Sequence, residues 1–185
     1  MHKQVRVVVV GCGDIGSRVA VLLQQQGWLV HGLRRTTAHL PAQILPIAAD
    51  MQQPQCPADW PQQPIDYVVY AMAAQRMDAQ GYQQAYVQGQ RHLYSWLAQH
   101  QQQPKRVVFV SSTGVYGQND DSWIDEQSPT EPARWAGQIM LEAEQCAAQS
   151  GHPATAVRLS GIYGPGRHML IDRVRAGYHA PHLHS

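Results

Sequence analysis

The chain has 185 residues, of which 44% are hydrophobic, and its formal net charge is +1 at pH 7. This near-neutral charge excludes the basic surface with which proteins bind nucleic acids or anionic membranes. The length predicts one domain with at most a short extra segment, and the hydrophobic content is sufficient for its core. The three scattered cysteines (Cys12, Cys56 and Cys146) have no metal-ligand spacing and argue against a disulfide framework, so we expect a cytoplasmic protein without a metal site.

The first predicted element is a strand at residues 7–10, a run of four valines. It is too short to cross a membrane and no cleavage-site pattern follows it, so it is predicted to be a core strand rather than a signal peptide. The next six residues are Gly11, Cys12, Gly13, Asp14, Ile15 and Gly16. A Gly-x-Gly-x-x-Gly loop between a strand and a helix is typical of a site for the pyrophosphate of a dinucleotide. Gly11 permits the tight turn, Gly13 lets the backbone approach the phosphates, and Gly16 lets the helix pack closely on the strand.

Strand and helix patterns alternate along the rest of the chain, as in a parallel sheet with helices on both faces. The first helix is predicted at 14–26, with a buried face formed by Ile15, Val19, Leu22 and Leu23. Further strands are predicted at 28–33, 44–49, 65–74, 106–110 and 154–159. Further helices are predicted at 82–99, 135–147 and 169–176. The predicted fold class is therefore α/β, a Rossmann-type doubly wound parallel sheet.

Two more motifs follow the fifth and sixth predicted strands. Residues 111–117 read Ser-Ser-Thr-Gly-Val-Tyr-Gly, and residues 161–166 read Gly-Ile-Tyr-Gly-Pro-Gly. In this order and spacing, and with the glycine loop, they make residues 5–167 similar to the NAD-dependent epimerase/dehydratase family. This family of extended or atypical short-chain dehydrogenases/reductases includes the nucleoside-diphosphate-sugar epimerases. The resemblance implies an NAD(P)-binding oxidoreductase or epimerase that acts on a small molecule such as a nucleotide sugar.

The resemblance also implies that the cofactor lies across the carboxyl ends of the strands. Asp50 falls where the family contacts the adenine ring, and Ala71 and Ala73 fall where small residues admit the ribose and diphosphate. Ser112, four residues before Tyr116, falls at the family's active-site Ser/Thr position and is the predicted catalytic residue. The predicted cofactor-binding residues are Gly11, Cys12, Gly13, Asp14, Ile15, Gly16, Arg34, Arg35, Asp50, Ala71, Met72, Ala73, Val110 and Ser111.

Arg34 and Arg35, at the end of the second predicted strand, bear on the choice of cofactor. In NAD-specific proteins of this fold, an Asp or Glu there usually accepts a hydrogen bond from the ribose 2′-hydroxyl. A pair of guanidiniums suits a 2′-phosphate instead, so the sequence predicts NADP, with NAD as the alternative. The alternative interpretation is that Arg34 and Arg35 are two solvated arginines at the start of a loop, with no role in cofactor binding. Asp14 is a counter-signal, because its carboxylate would repel a diphosphate if it turned inward.

The proton relay that the family normally uses, a Tyr followed four residues later by a Lys, is absent from the sequence. The only lysines are Lys3 and Lys105, and neither has a Tyr four residues before it. Depending on the register of the helix, the two positions are held by Ala136 and Met140 or by Trp135 and Ile139. Two other phenols, Tyr116 and Tyr163, lie near strand ends, where packing of their rings is the favoured explanation because the sequence assigns no cation beside them.

The last residues are predicted to be a stub of a substrate-binding lobe that is otherwise missing. The predicted division is a dinucleotide-binding domain at 1–168 and a short helix and tail at 169–185. Histidines at 179, 182 and 184 fit a frayed tail better than a metal site. The sequence leaves three functions open: an active oxidoreductase or epimerase, a non-catalytic dinucleotide-binding module, and a truncated remnant. A homodimer, in which a partner chain supplies the missing wall, is consistent with the first two.

Overall fold

A computed structural model describes residues 4–177. Six parallel strands form one sheet in the order β3-β2-β1-β4-β5-β6. The order reverses direction at β1, so the sheet is doubly wound, and the predicted fold class is confirmed. The strands are β1 (Arg6–Val10), β2 (Leu29–Arg34), β3 (Leu45–Ala48), β4 (Tyr67–Tyr70), β5 (Arg106–Ser112) and β6 (Ala154–Leu159).

Helices cover both faces of the sheet. They are α1 (Asp14–Gln25), α2 (Ala79–Tyr82), α3 (Gly89–Gln99), α4 (Trp135–Ala148) and α5 (Met169–Arg175), and a π-helical turn (Gln83–Gln88) joins α2 to α3. Short 3-10 turns lie at Thr37–His39 and Thr113–Val115. Between residues 4 and 177, no helix is both long enough and apolar enough to span a membrane. The histidines at 179, 182 and 184 lie outside the described residues, and the predicted division at residue 168 stays a prediction.

The core has two layers because side chains alternate along the strands. Val8 and Val10 of β1 point into the larger layer, which contains side chains of α3 and α4, whereas Val7 and Val9 point into the layer beneath α1. All four valines are fully buried. The prediction for the buried face of α1 is wrong in part: Gly16 and Ala20 are its buried residues, and Leu22 is 62% exposed. Small residues face the sheet here because α1 packs close to β1.

The predicted helix 82–99 is interrupted by the π-helical turn, and a neighbouring strand explains the interruption. The hydroxyl of Tyr70, in β4, donates a hydrogen bond of 2.6 Å to the carbonyl oxygen of Ala85. A Cβ on Gly89 would overlap this hydroxyl oxygen, so glycine is the residue that fits there. A side chain that inserts into the hydrogen-bond ladder of a helix is a recognised cause of such irregular turns. The turn thus depends on a contact that is remote in sequence.

Replacing Gly89 with alanine should lower the free energy of unfolding by about 1–3 kcal/mol, because the added methyl group overlaps a fully buried hydroxyl. Urea denaturation should show that Gly89→Ala/Tyr70→Phe is more stable than Gly89→Ala, since removing the hydroxyl makes room for the methyl group. Tyr70→Phe alone should be less stable than the wild type, because the Ala85 carbonyl loses its donor. A Gly89→Ala variant as stable as the wild type would contradict this account of the turn.

Candidate functional site

The glycine loop is held between the ends of β2 and β4. The backbone N–H groups of Gly11 and Cys12 both donate to the carbonyl oxygen of Leu33, each at 3.0 Å. Gly11 has a φ of 90°, and a Cβ there would lie 2.8 Å from the carbonyl group of Ala71. A Cβ on Gly16 would overlap the carbonyl oxygen of Gly11. Both glycines are therefore required by the packing of the protein itself.

Gly13 differs from the other two loop glycines. It is exposed, and a Cβ on it would have no atom of the described residues within 4 Å. The packing within residues 4–177 does not require a glycine at this position. The open space beside Gly13 is the part of the loop that a ligand can approach without meeting a side chain.

A cavity of about 340 Å³, here called the glycine-loop cavity, opens at the carboxyl ends of the central strands. The structure brings most of the predicted cofactor-binding residues to its wall: Gly11, Cys12, Gly13, Asp14, Ile15, Arg34, Arg35, Asp50, Ala71, Met72, Ala73 and Val110. Gly16 lies behind the loop, and Ser111 and Ser112 line a neighbouring cavity. The sequence analysis missed Gln75, Ile162 and Arg167, which also line the glycine-loop cavity. Arg167 comes directly after the 161–166 motif, and this position was the signal that could have identified it.

The two predicted arginines lie on the rim of this cavity. Arg34 is half-buried and Arg35 is exposed, and the Arg35 guanidinium donates to the Gln75 side-chain oxygen at 2.8 Å. No carboxylate of residues 4–177 forms an ion pair with either arginine. Asp50 lines the same cavity and accepts a hydrogen bond from the backbone N–H of Gln52 at 3.0 Å. The rim therefore carries two positive charges that are free to interact with an anion.

The carboxylate of Asp14 lies between two guanidiniums. One oxygen accepts from Arg18 at 2.8 Å and the other accepts from Arg167. Arg18 also donates to the carbonyl oxygen of Pro165 at 2.7 Å. Hydrogen bonds from Arg18 and then Arg167 lower the pKa of Asp14 below its usual value. These three charged residues, here called the Asp14 cluster, attach the loop after β6 to the start of α1. The two guanidiniums also offset the repulsion that the Asp14 carboxylate would exert on a diphosphate.

Cys12 contributes its backbone to the cavity and its side chain to the core. The Cys12 thiol is fully buried and donates to the carbonyl oxygen of Val9 at 3.5 Å. Burial raises the pKa of Cys12 to about 11. The group therefore stays a thiol at neutral pH and is not a nucleophile.

A second cavity, here called the Ser112 cavity, has a volume of about 250 Å³ and shares Met72 and Val110 with the first. Ala136 and Met140 line it, so these two residues occupy the positions at which the family's Tyr and Lys were sought. Trp135 and Ile139, the pair of the alternative register, are not among the described residues that line this cavity. The Ser112 hydroxyl accepts a hydrogen bond of 3.1 Å from the backbone N–H of Gly114.

Ser111 belongs to a buried polar network rather than to the open part of either cavity. Its hydroxyl donates to the Glu144 carboxylate at 2.6 Å. Arg158 donates to both oxygens of that carboxylate, at 2.9 and 2.8 Å, and to the Tyr116 hydroxyl at 2.8 Å. The Tyr116 hydroxyl in turn donates to the carbonyl oxygen of Asp125 at 2.7 Å. The network ties α4, β5 and β6 together and orients the turn that carries Ser112.

The family model for NAD dependent epimerase/dehydratase proteins matches residues 7–181. The chain belongs to this NAD-dependent epimerase/dehydratase family. The resemblance inferred from the glycine loop and the two later motifs is confirmed.

Individual members of the family extend beyond the matched region. Protein YeeZ of Escherichia coli (strain K12) is 29% identical over 186 residues, which is 95% of this chain and 65% of that protein. A structure classed as an NAD-dependent epimerase/dehydratase from Methylobacillus flagellatus is 35% identical, with a TM-score of 0.76 over 97% of this chain and 62% of its own. MoeE5, solved with UDP-glucose and NAD, is 26% identical, with a TM-score of 0.72 over 92% of this chain and 60% of its own. The chain therefore spans less than two thirds of the length of each.

Within residues 4–177, no group of three or more His, Cys, Asp and Glu side chains could hold a metal ion.

Two glycines in the loop provide a matched test of the glycine-loop cavity. Gly13→Ala should leave the free energy of unfolding nearly unchanged, because the new methyl group meets only open space. It should weaken dinucleotide binding at least about tenfold, since it occupies the space that the sequence predicts for the phosphates. Gly16→Ala should lower stability by about 1–3 kcal/mol because of its overlap with Gly11. Urea denaturation and fluorescence titration with NADPH measure the two effects. Unchanged affinity in Gly13→Ala would refute the placement of the phosphates.

The Glu144–Arg158 ion pair provides a test of the buried network. Arg158→Met should destabilise the protein by about 3–5 kcal/mol, because it leaves a buried carboxylate without its cation. In Glu144→Gln/Arg158→Met, part of this loss should be recovered, since the uncompensated charge is gone. The comparison is made by urea denaturation at pH 7. A double variant less stable than Arg158→Met would contradict the proposed cause.

Proposed function

We propose that the chain binds a nicotinamide dinucleotide in the glycine-loop cavity. The observation that carries the proposal is Gly13, whose missing side chain leaves open space beside the first turn of α1. The backbone N–H groups of this turn would face the pyrophosphate, where the dipole of α1 favours negative charge. The 2′ end of the adenosine would lie toward Arg34 and Arg35, and the nicotinamide toward Val110 and the Ser112 cavity. MoeE5, which was solved with NAD, supports this assignment.

The chain's preference is proposed to be for NADP. Arg34 and Arg35 line the cavity at the end of β2, and both guanidiniums are available for charge-assisted hydrogen bonds to a 2′-phosphate. Arg35 would give up its hydrogen bond to Gln75, an exchange of a neutral partner for a charged one. An acidic residue at the end of β2 would instead select NAD. The residue at the end of this strand is Arg34.

The chemistry proposed for the site is that of an oxidoreductase or epimerase on a small molecule that resembles a nucleotide sugar. The bound dinucleotide would supply hydride exchange at its nicotinamide ring. Ser112 would position the substrate, since its hydroxyl accepts from Gly114 and keeps its own proton for a substrate oxygen. The structure of MoeE5 in complex with UDP-glucose and NAD supports this substrate class.

A second candidate function is a dinucleotide-binding module without catalysis. Ala136 and Met140 line the Ser112 cavity where the family has its Tyr and Lys, and neither side chain can exchange a proton. Turnover separates the two functions. A chain that binds NADPH but leaves UDP-glucose and other UDP-sugars unchanged would favour the module for these substrates.

Titration with NADPH and NADH tests the cofactor assignment. The wild-type chain should bind NADPH more tightly, and Arg34→Ala/Arg35→Ala should weaken NADPH about 10- to 100-fold with little effect on NADH, because only NADPH carries the 2′-phosphate. Arg91→Ala/Arg106→Ala is the matched control: it removes the same charge from α3 and from the start of β5, away from the cavity. Equal affinity for the two dinucleotides would overturn the NADP preference. Failure to bind either would overturn the proposed function.

A further inference from the structure

The Ser112 cavity is bounded on one side by two tyrosines that the sequence analysis did not assign to the site. Tyr82 ends α2 and Tyr86 lies in the π-helical turn, and both line the cavity together with Ala136 and Met140. Their ring centroids are 5.1 Å apart in an edge-to-face arrangement. The turn that presents them is fixed by the Tyr70 hydrogen bond described above, so their placement is built into the fold.

The hydroxyl of Tyr86 is anchored and still has a proton to donate. It accepts a hydrogen bond of 3.3 Å from the backbone N–H of Ala74, just after β4. No atom of residues 4–177 accepts a hydrogen bond from this hydroxyl, and the same is true of the Ser112 hydroxyl. Burial raises the pKa of Tyr86, so the group stays a neutral phenol at physiological pH. Tyr86 and Ser112 thus each bring to the cavity wall a hydroxyl that can still donate.

The rest of the cavity wall is uncharged. Among the described residues that line it, Met72, Val110 and Met140 are apolar and none carries a formal charge. The Ser111 hydroxyl is already bonded to Glu144. An ionised ligand group would lose its hydration here without gaining a counter-charge, which is costly. A carbonyl oxygen, by contrast, has two lone pairs and can accept from both hydroxyls.

We propose that Tyr86, together with Ser112, binds the carbonyl oxygen of an uncharged substrate group in the Ser112 cavity. Tyr86 thereby positions the substrate, a role for which Ala136 and Met140 have no polar group. This inference rests on the proposed function, because the bound dinucleotide would form the side of the cavity shared through Met72 and Val110. Tyr86 acts as a hydrogen-bond donor and not as a base. The site therefore accepts ketone-like groups more readily than carboxylates or phosphates.

Methionine methyl groups provide reporters that separate the two cavities. Met51 lines the glycine-loop cavity but not the Ser112 cavity, and Met140 lines the Ser112 cavity but not the glycine-loop cavity. In a chain labelled with ¹³C-methyl methionine, NADP⁺ should shift the Met51 signal. Cyclohexanone, a neutral ketone, added to the chain saturated with NADP⁺ should then shift the Met140 signal. Single Met→Leu variants assign both signals.

Removal of the Tyr86 hydroxyl tests its role. Tyr86→Phe should weaken cyclohexanone binding about three- to tenfold, the effect of one neutral hydrogen bond. Tyr94→Phe is the matched control, because its hydroxyl donates to Gln90 outside the cavity. Methylenecyclohexane, which has the same shape without the oxygen, should bind the wild type more weakly than cyclohexanone. This comparison tests the donor even if Tyr86→Phe does not fold.

The outcomes distinguish the failure of each proposal. If NADP⁺ shifts Met51 but cyclohexanone leaves Met140 unchanged, the role of Tyr86 is wrong and the proposed function stands. If the ketone and its methylene analogue bind equally to the wild type, the cavity binds by shape alone and the hydrogen bond is refuted. If Met51 does not respond to NADP⁺ or NADPH, the proposed function fails, and the inference that rests on it fails as well.

Discussion

The site depends on the close contact between the glycine loop and the ends of two neighbouring strands. Leu33 supplies one carbonyl oxygen to two consecutive backbone N–H groups of the loop, and the Ala71 carbonyl lies so near Gly11 that no side chain fits between them. Together these contacts fix the start of α1 relative to β2 and β4. Much of the wall of the glycine-loop cavity follows from that placement, because many of its lining residues come from the loop itself and from the carboxyl ends of β2 and β4 with the segments that follow them. Of the three loop glycines, only Gly13 has open space where a Cβ would lie.

The Ser112 cavity has the strand and turn typical of the family but lacks the side chains with which the family exchanges a proton. The turn after β5 carries the motif that identifies the family, and the Glu144–Arg158 network supports it from behind. Proton exchange by a Tyr–Lys pair is nevertheless absent from α4. Two tyrosines line the cavity instead, Tyr82 at the end of α2 and Tyr86 on the π-helical turn. A family's fold and glycine loop can therefore be retained without its Tyr–Lys pair, which is why function has to be argued from the site.

Local patterns predicted the parts of the structure that local chemistry determines. The glycine loop could be predicted because a buried strand, a tight turn and the start of a helix each have a characteristic pattern of adjacent residues. The predicted bounds of β6 are the observed ones. The π-helical turn was not readable, since its cause is Tyr70 on another strand. The exposed position of Leu22 was missed because periodicity shows that a helix has an apolar stripe, not which part of the stripe meets the sheet. Arg167 and Tyr86 reach the cavities through tertiary packing, which a linear pattern does not encode.

The Asp14 cluster has a consequence for the order in which the cavity is completed. Arg167 and Asp14 are 153 positions apart in the chain, and Arg18 and Pro165 are 147 apart. Contacts between such distant segments form late, because the intervening chain must first be ordered. During synthesis from the amino terminus, the glycine loop, β1 and β2 are available long before the loop after β6 emerges. The segment that carries Ile162 and Arg167 is therefore the last part of the cavity wall to be translated, and a nascent chain passes through a stage in which the glycine loop exists without this segment.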